Sequence, residues 1–279
     1  WFCRMDMFGP IKSPGKSSLQ EWAQRLPVAQ MQEIVDQITL QAAGPCNPLE
    51  LKNQIELDTV WMDSTCLKAN IHFPVDWVLL RDAVRTLTLA VKLIRKHGLK
   101  HRMEPPESFR KSMNHLCMEM THCSNKTDGR KKRKKVLRKM TKLCKVVQAH
   151  ARRHGDLLKE RWSETDWSWP QAQQVIKRID QVIEKLPAAI EQAQQRIIRG
   201  AQVASKEKVL SLYEEEVNVI VRGKAGAQVE FGNTLLVAEN TQGLILDWKL
   251  FRQSAPSDDH LVAPSIDRLE KRFGKGMVR

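Results

Sequence analysis

Asp63, in the run Trp61-Met62-Asp63-Ser64-Thr65, has the setting that points most directly to chemistry. A carboxylate in or at the end of a buried strand makes a good divalent-metal ligand, because the strand fixes it and the neighbouring loops leave the metal open to substrate. Taken alone, an aspartate after an apolar pair serves equally well as a turn or cap residue. His115, Cys117, His122 and Cys123 form a second candidate set. Their spacing fits stripes on a helix as readily as a tetrahedral zinc site, and free cysteines packed in a helix pair account for it. No G-x-S-x-G elbow is present, and Arg222-Gly223-Lys224-Ala225-Gly226 matches neither a Walker A loop nor a dinucleotide fingerprint. It reads as a hairpin bend, so the enzyme classes that depend on those motifs are disfavoured.

The other chemical signal is charge. Arg130, Lys131, Lys132, Arg133, Lys134, Lys135, Arg138, Lys139, Lys142 and Lys145 follow one another with no acidic residue between them. These ten supply most of a formal net charge of +14, from 46 Lys+Arg against 32 Asp+Glu. A charge run is often no more than a solvated helix face. Here, however, like charges at i,i+4 oppose an isolated helix, and phosphates are the natural means of offsetting that repulsion. Contact with a nucleic acid is therefore expected.

The elements that must position these residues are legible from periodicity. Residues 1–16 read as an irregular arm. Ser17 and Ser18 offer an N-cap for a short helix to about Arg25, and Pro27 opens a helix to about Ala43 with Met31, Ile34, Val35, Ile38 and Ala42 as its stripe. Leu57 to Leu67 predicts a short buried strand carrying Asp63. Helices are expected over Leu79 to Lys96, from Ser108 to about His122, and through the basic run towards Arg161. A last long helix, about Gln171 to Arg199, carries Val175, Ile179, Val182, Leu186, Ile190, Ala193 and Ile197 in a seam like that of a coiled coil, with a kink expected at Pro187. After Lys208 the period changes to two. Strands are expected over Val217–Val221, Ala227–Ala238 and Gly243–Arg252, then a helix from about His260 to Phe273 ended by Gly274. In the last of these strands Leu244, Leu246, Trp248 and Leu250 should face one way, with Ile245, Asp247, Lys249 and Phe251 facing the other.

Composition narrows the setting. At 42% hydrophobic and 28% charged, the 279 residues are ordinary for a folded protein. No apolar run reaches the roughly 18 residues of a membrane span, and the N-terminus lacks a signal-peptide layout. Six cysteines show no paired framework, so free thiols in a reducing cytoplasm are expected. Trp1 and Arg279 read as cut ends, which makes the chain a fragment in this reading.

Two stretches then carry a resemblance: Asp63-Ser64-Thr65-Cys66-Leu67-Lys68-Ala69-Asn70-Ile71-His72-Phe73-Pro74-Val75-Asp76-Trp77 and Val219-Ile220-Val221-Arg222-Gly223-Lys224-Ala225-Gly226-Ala227-Gln228-Val229-Glu230-Phe231-Gly232-Asn233. With the basic helical block between them, they resemble bacterial insertion-sequence transposases of the DDE type. The resemblance implies an α/β, ribonuclease-H-like catalytic domain over 51–279, preceded by a helical region over 1–50. A basic helical insertion, 75–205, would lie between the first and second strands. It also implies two aspartates and a glutamate holding two divalent metals, Mg²⁺ or Mn²⁺, that cleave and join phosphodiesters of the element ends and target DNA. Asp63 matches the first carboxylate.

The second aspartate and the glutamate find no match in this chain. Asp247 falls inside a strand, and Asp258 or Asp259 caps the helix after it. The 279 residues are therefore expected not to cleave or join DNA. Two other functions compete with a transposase: a nucleic-acid-binding regulator without strand chemistry, and a helical assembly module forming a homo-oligomer through the 171–199 helix.

Overall fold

The computed structural model describes residues 25–43, 55–123, 127–214, 216–224 and 227–276. In chain order the elements are α1 (Val28–Ala43), β1 (Val60–Lys68), α2 (Asp76–Lys96), α3 (Pro106–His122), α4 (Thr127–Arg161), α5 (Trp169–Gln194), β2 (Asn218–Lys224), β3 (Ala227–Asn240), β4 (Ile245–Phe251) and α6 (Asp259–Phe273). The class is α/β, with one antiparallel four-stranded sheet. The arm over 1–16 and nearly all of the short helix expected from Ser17 lie outside the described residues. None of the described helices is long and apolar enough to cross a membrane.

The chain divides into two compact units. One holds the described residues of 1–65, 234–251 and 255–279; the other holds those of 66–233 and 252–254.

The larger unit is built on α2 to α5, and local sequence sets the helix ends. Asp76 starts α2 and Arg95 and Lys96 end it, so both termini complement the helix dipole. Pro106 occupies the first turn of α3, where its missing N–H costs nothing. Ser168 and Gln171 form a capping box at the start of α5. Leu80, Leu87 and Ile94 of α2 pack with Met113 and Met120 of α3, Leu137, Met140 and Leu158 of α4, and Ile179 and Leu186 of α5. The expected seam of α5 is spent inside this core: Ile179, Val182, Leu186, Ile190 and Ala193 are buried, and Val175 and Ile197 pack against the cluster. The chain's own helices thus occupy the face from which a homo-oligomer was expected. The helix also runs on through Pro187, and the segment Gln195–Arg199 is a π-turn that Gly200 closes in the left-handed region.

His154 of α4 is fully buried in this unit. Its Nδ1 faces His150 O at 2.8 Å, which makes Nδ1 the protonated nitrogen, and its Nε2 has no partner. Protonating Nε2 would bury an unsatisfied charged N–H. Burial outweighs the opposing hydrogen bond to His150 O and, with the nearby Arg95, His101 and His150, holds the imidazole pKa below its ordinary 6.5. The unfolded chain takes up this proton first as pH falls. The stability tied to a neutral His154 is full above about pH 6.5 and drains away as pH drops below it. A His154→Gln variant should lose part of the wild-type fall in Tm between neutral and mildly acidic pH, measured by circular dichroism.

In the sheet, β3 lies between β1 and β2, with β2 paired to its first half and β4 to its second. At Gly232 the β3 backbone approaches β1 so closely that an added Cβ would lie 2.1 Å from Leu67 O, at a φ of +158°. The smaller unit has its own core, Leu57, Leu246 and Leu269 with Met62, Leu244 and Phe273 against them. Here the strict alternation expected along β4 fails. Ala238 pairs with Asp247 and Glu239 with Ile245, leaving Leu246 as a bulge. Leu246 and Asp247 are both buried while Trp248 is exposed, because the extra residue turns two consecutive side chains inward. The stripe expected on α1 is corrected too: Ile34, Val35 and Ile38 are exposed and Ala42 with Thr39 is buried.

Candidate nucleic-acid interface

The basic run forms the first half of α4, a 35-residue helix. Helical spacing splits it into two faces. Val136, Leu137, Met140 and Cys144 are buried in the core. Arg130, Lys131, Lys132, Lys135, Arg138, Lys139, Lys142 and Lys145 are exposed. Arg133 and Lys134 are half-buried. Arg133 is a packing residue: its Nη2 donates to Cys123 O at 3.1 Å, and its guanidinium carbon lies 5.8 Å from the Trp77 ring centre. Lys132 has a loose ion pair with Glu119 at 3.6 Å. For the rest of the exposed row, no carboxylate lies within ion-pair distance among the described residues.

This placement is electrostatically unfavourable for the chain alone. The row begins at Arg130 in the first turn of α4, where the helix dipole disfavours cations and Asp128 is the one acidic residue. Like charges at i,i+4 add to the cost. A polyanion laid along the row removes both penalties.

Asp63 is the fourth residue of β1 rather than its last. It lies on the exposed side with Trp61 and Thr65, while Val60, Met62 and Ser64 are half-buried on the other. Among the described residues no three His, Cys, Asp or Glu side chains gather in a way that could hold a metal ion. A two-metal centre needs several carboxylate oxygens, and the described donor set does not fit one. The zinc alternative dissolves in the same way: Cys117 and Cys123 are buried, whereas His115 and His122 are exposed. Burial, the largest influence on the Cys117 thiol, pushes its pKa up, which makes it a poor metal ligand at neutral pH.

Asp247, the other strand carboxylate, is fully committed. Ser265 Oγ donates to Oδ2 at 2.7 Å, Arg268 Nη2 to Oδ2 at 2.6 Å and Arg272 Nη2 to Oδ1 at 2.6 Å. Its oxygens anchor α6. Asp258 sits just before α6, as the capping position requires, although its side chain makes no cap hydrogen bond.

No family model matches the chain, and neither does any curated protein or solved structure at a significant level.

Sequence reasoning located the basic row because its members are contiguous. It missed residues that gather only in space. Asp76 of α2 meets Gln192 and Arg196 more than a hundred positions away. Arg81 and Arg85 of α2 line both a cleft with Arg178 of α5 and a hollow with Arg110 of α3. No linear pattern announces either group.

Proposed function

We propose that this chain binds DNA along the exposed row of α4 as part of a DDE-type transposase, in which Asp63 would match the first carboxylate of the family's triad. The observation that carries the DNA reading is the sorting of α4 into a buried apolar face and a basic one on which Lys132 alone has an ion pair among the described residues. The order of a strand, a helical block, further antiparallel strands and a helix supports the ribonuclease-H-like reading, with β3 central and the block inserted after β1. A non-catalytic nucleic-acid-binding protein is the second reading, favoured because no three His, Cys, Asp or Glu side chains among the described residues gather to hold a metal around Asp63 or elsewhere.

The row is tested by fluorescence anisotropy on duplex DNA across a salt series. Lys131, Lys135, Arg138 and Lys142 recur at helical spacing on α4. Changing all four to Glu should weaken binding, and should flatten the slope of log K against log salt by about 0.9 for each phosphate no longer neutralised. An unchanged slope would remove α4 as the DNA-binding surface.

Chemistry is tested separately. With Mg²⁺ or Mn²⁺ the 279-residue chain is expected to give no strand cleavage or transfer, because one carboxylate cannot hold two metals. Activity that disappears in Asp63→Asn would overturn that expectation.

A further inference from the structure

A second cationic surface lies on other helices. Arg81 and Arg85 lie one turn apart on α2, the first half-buried and the second exposed. Together with Arg178 of α5 they line a cleft of about 610 Å³ whose wall includes Leu89, Leu93 and Val175. The same two arginines, with Arg110 and Asn114 of α3, line a hollow of about 380 Å³.

The charges in this cleft are poorly compensated. Asp82 is the one carboxylate among the lining residues, and it is buried and already held by Arg81 at 3.1 Å and His72 at 3.1 Å. The side chains of Arg85, Arg110 and Arg178 have no ion-pair or hydrogen-bond partner among the described residues. Tyr213 adds rigidity: its hydroxyl lies 2.6 Å from Thr86 Oγ1 and donates to Asp82 O at 3.1 Å.

Guanidinium forks that line one surface with little counter-charge fit phosphate oxygens in geometry as well as in sign. The larger cleft falls in the size range that buries a small ligand, so it admits one nucleotide with its base or sugar on the Leu89, Leu93 and Val175 wall. The hollow beside it shares two arginines and adds a third, which suits the next phosphate of the same strand. A base paired in a duplex cannot enter such a cleft without leaving its stack. We infer that the arginine cleft between α2, α3 and α5 binds a segment of single-stranded nucleic acid through consecutive phosphodiesters. It shares no residue with the α4 row, so the two surfaces stand or fall separately.

The full chain is titrated with a fluorescent oligothymidylate of about twelve nucleotides and, separately, with a duplex of about twenty base pairs. Arg85→Ala with Arg178→Ala should weaken the single strand about tenfold or more and leave duplex binding nearly unchanged. Both side chains are exposed, and circular dichroism checks that the variant is folded. Leu89→Glu provides a second route, because it places a carboxylate in the cleft at a position already 42% exposed; it should produce the same selective loss. The four-residue charge reversal on α4 should do the opposite. The inference is overturned if the wild type does not bind the single strand, if neither cleft variant weakens it, or if duplex binding falls equally. It is overturned as well if thymidine monophosphate binds as tightly as the oligonucleotide, which would make the cleft a site for a free nucleotide.

Discussion

Asp247→Ala is expected to destabilise the smaller unit by about 3–5 kcal/mol, the cost of leaving enclosed guanidinium groups without their carboxylate. Asp247 is 3% exposed, and Arg268 and Arg272 are half-buried around it, Arg272 reaching on to Asp36 at 3.1 Å. Removing the carboxylate would orphan two cations and the Ser265 hydroxyl at once, all on the face of α6 that holds β4. Thermal unfolding followed by circular dichroism should show Tm falling by roughly 10 °C or more. Asp247→Asn keeps the shape and one acceptor but loses the charge, so it should fall between wild type and Ala. A double-mutant cycle with Arg272→Met should return a coupling of about 1–3 kcal/mol. By contrast, Asp63→Asn, exposed on β1, should change stability by no more than about 0.5 kcal/mol. If Asp247→Ala melts like wild type, the ion cluster does not hold α6.

The second large effect is expected at Asp76. This carboxylate is 4% exposed at the first position of α2. Its Oδ1 accepts Gln192 Nε2 and Arg196 Nη1, both at 2.8 Å, and Gln192 Oε1 accepts the Val209 N–H at 2.7 Å. Asp76 thus ties the start of α2 to the end of α5 and, through Gln192, to the segment that follows it. It also complements the α2 dipole. Asp76→Ala should cost about 3 kcal/mol or more, since the buried Gln192 amide and the partly exposed Arg196 lose their shared acceptor. Arg196→Ala should cost less, because that side chain is 40% exposed and keeps much of its solvation in the folded state. Urea unfolding of the three proteins gives the order directly. Equal losses in the two variants, or none in Asp76→Ala, would show that the network does not bear on stability.

The behaviour of the α5 seam shows how far pattern alone reaches. Its steps of three and four residues describe a helix with one apolar stripe, and that helix is present. The stripe does not say whose apolar face covers it. α2 and α4 of the same chain do, so the expected dimer seam became part of the internal core. On α1 the reverse holds, since Ile34, Val35 and Ile38 recur at helical spacing but remain exposed.

β4 makes the same point for strands. A period of two was visible, yet the bulge at Leu246 placed Asp247 beside its neighbour rather than opposite it. That single extra residue made Asp247 an anchor for Arg268 and Arg272.

By itself the sequence determined the order and approximate ends of the described helices and strands, because capping, proline positions and hydrophobic period act over a few residues. It also determined the basic row of α4, because ten cations in a short helical stretch must present most of their charge to solvent. Only the tertiary structure decided which carboxylates are exposed and which are bound, and which cations share a surface. Asp63 and Asp247 look alike along the chain. One is exposed on β1 and the other is enclosed by α6, since burial and pairing depend on residues brought together from distant positions. The arginine cleft has the same origin: α2, α3 and α5 each contribute one or two guanidinium groups, and only their packing makes them a site.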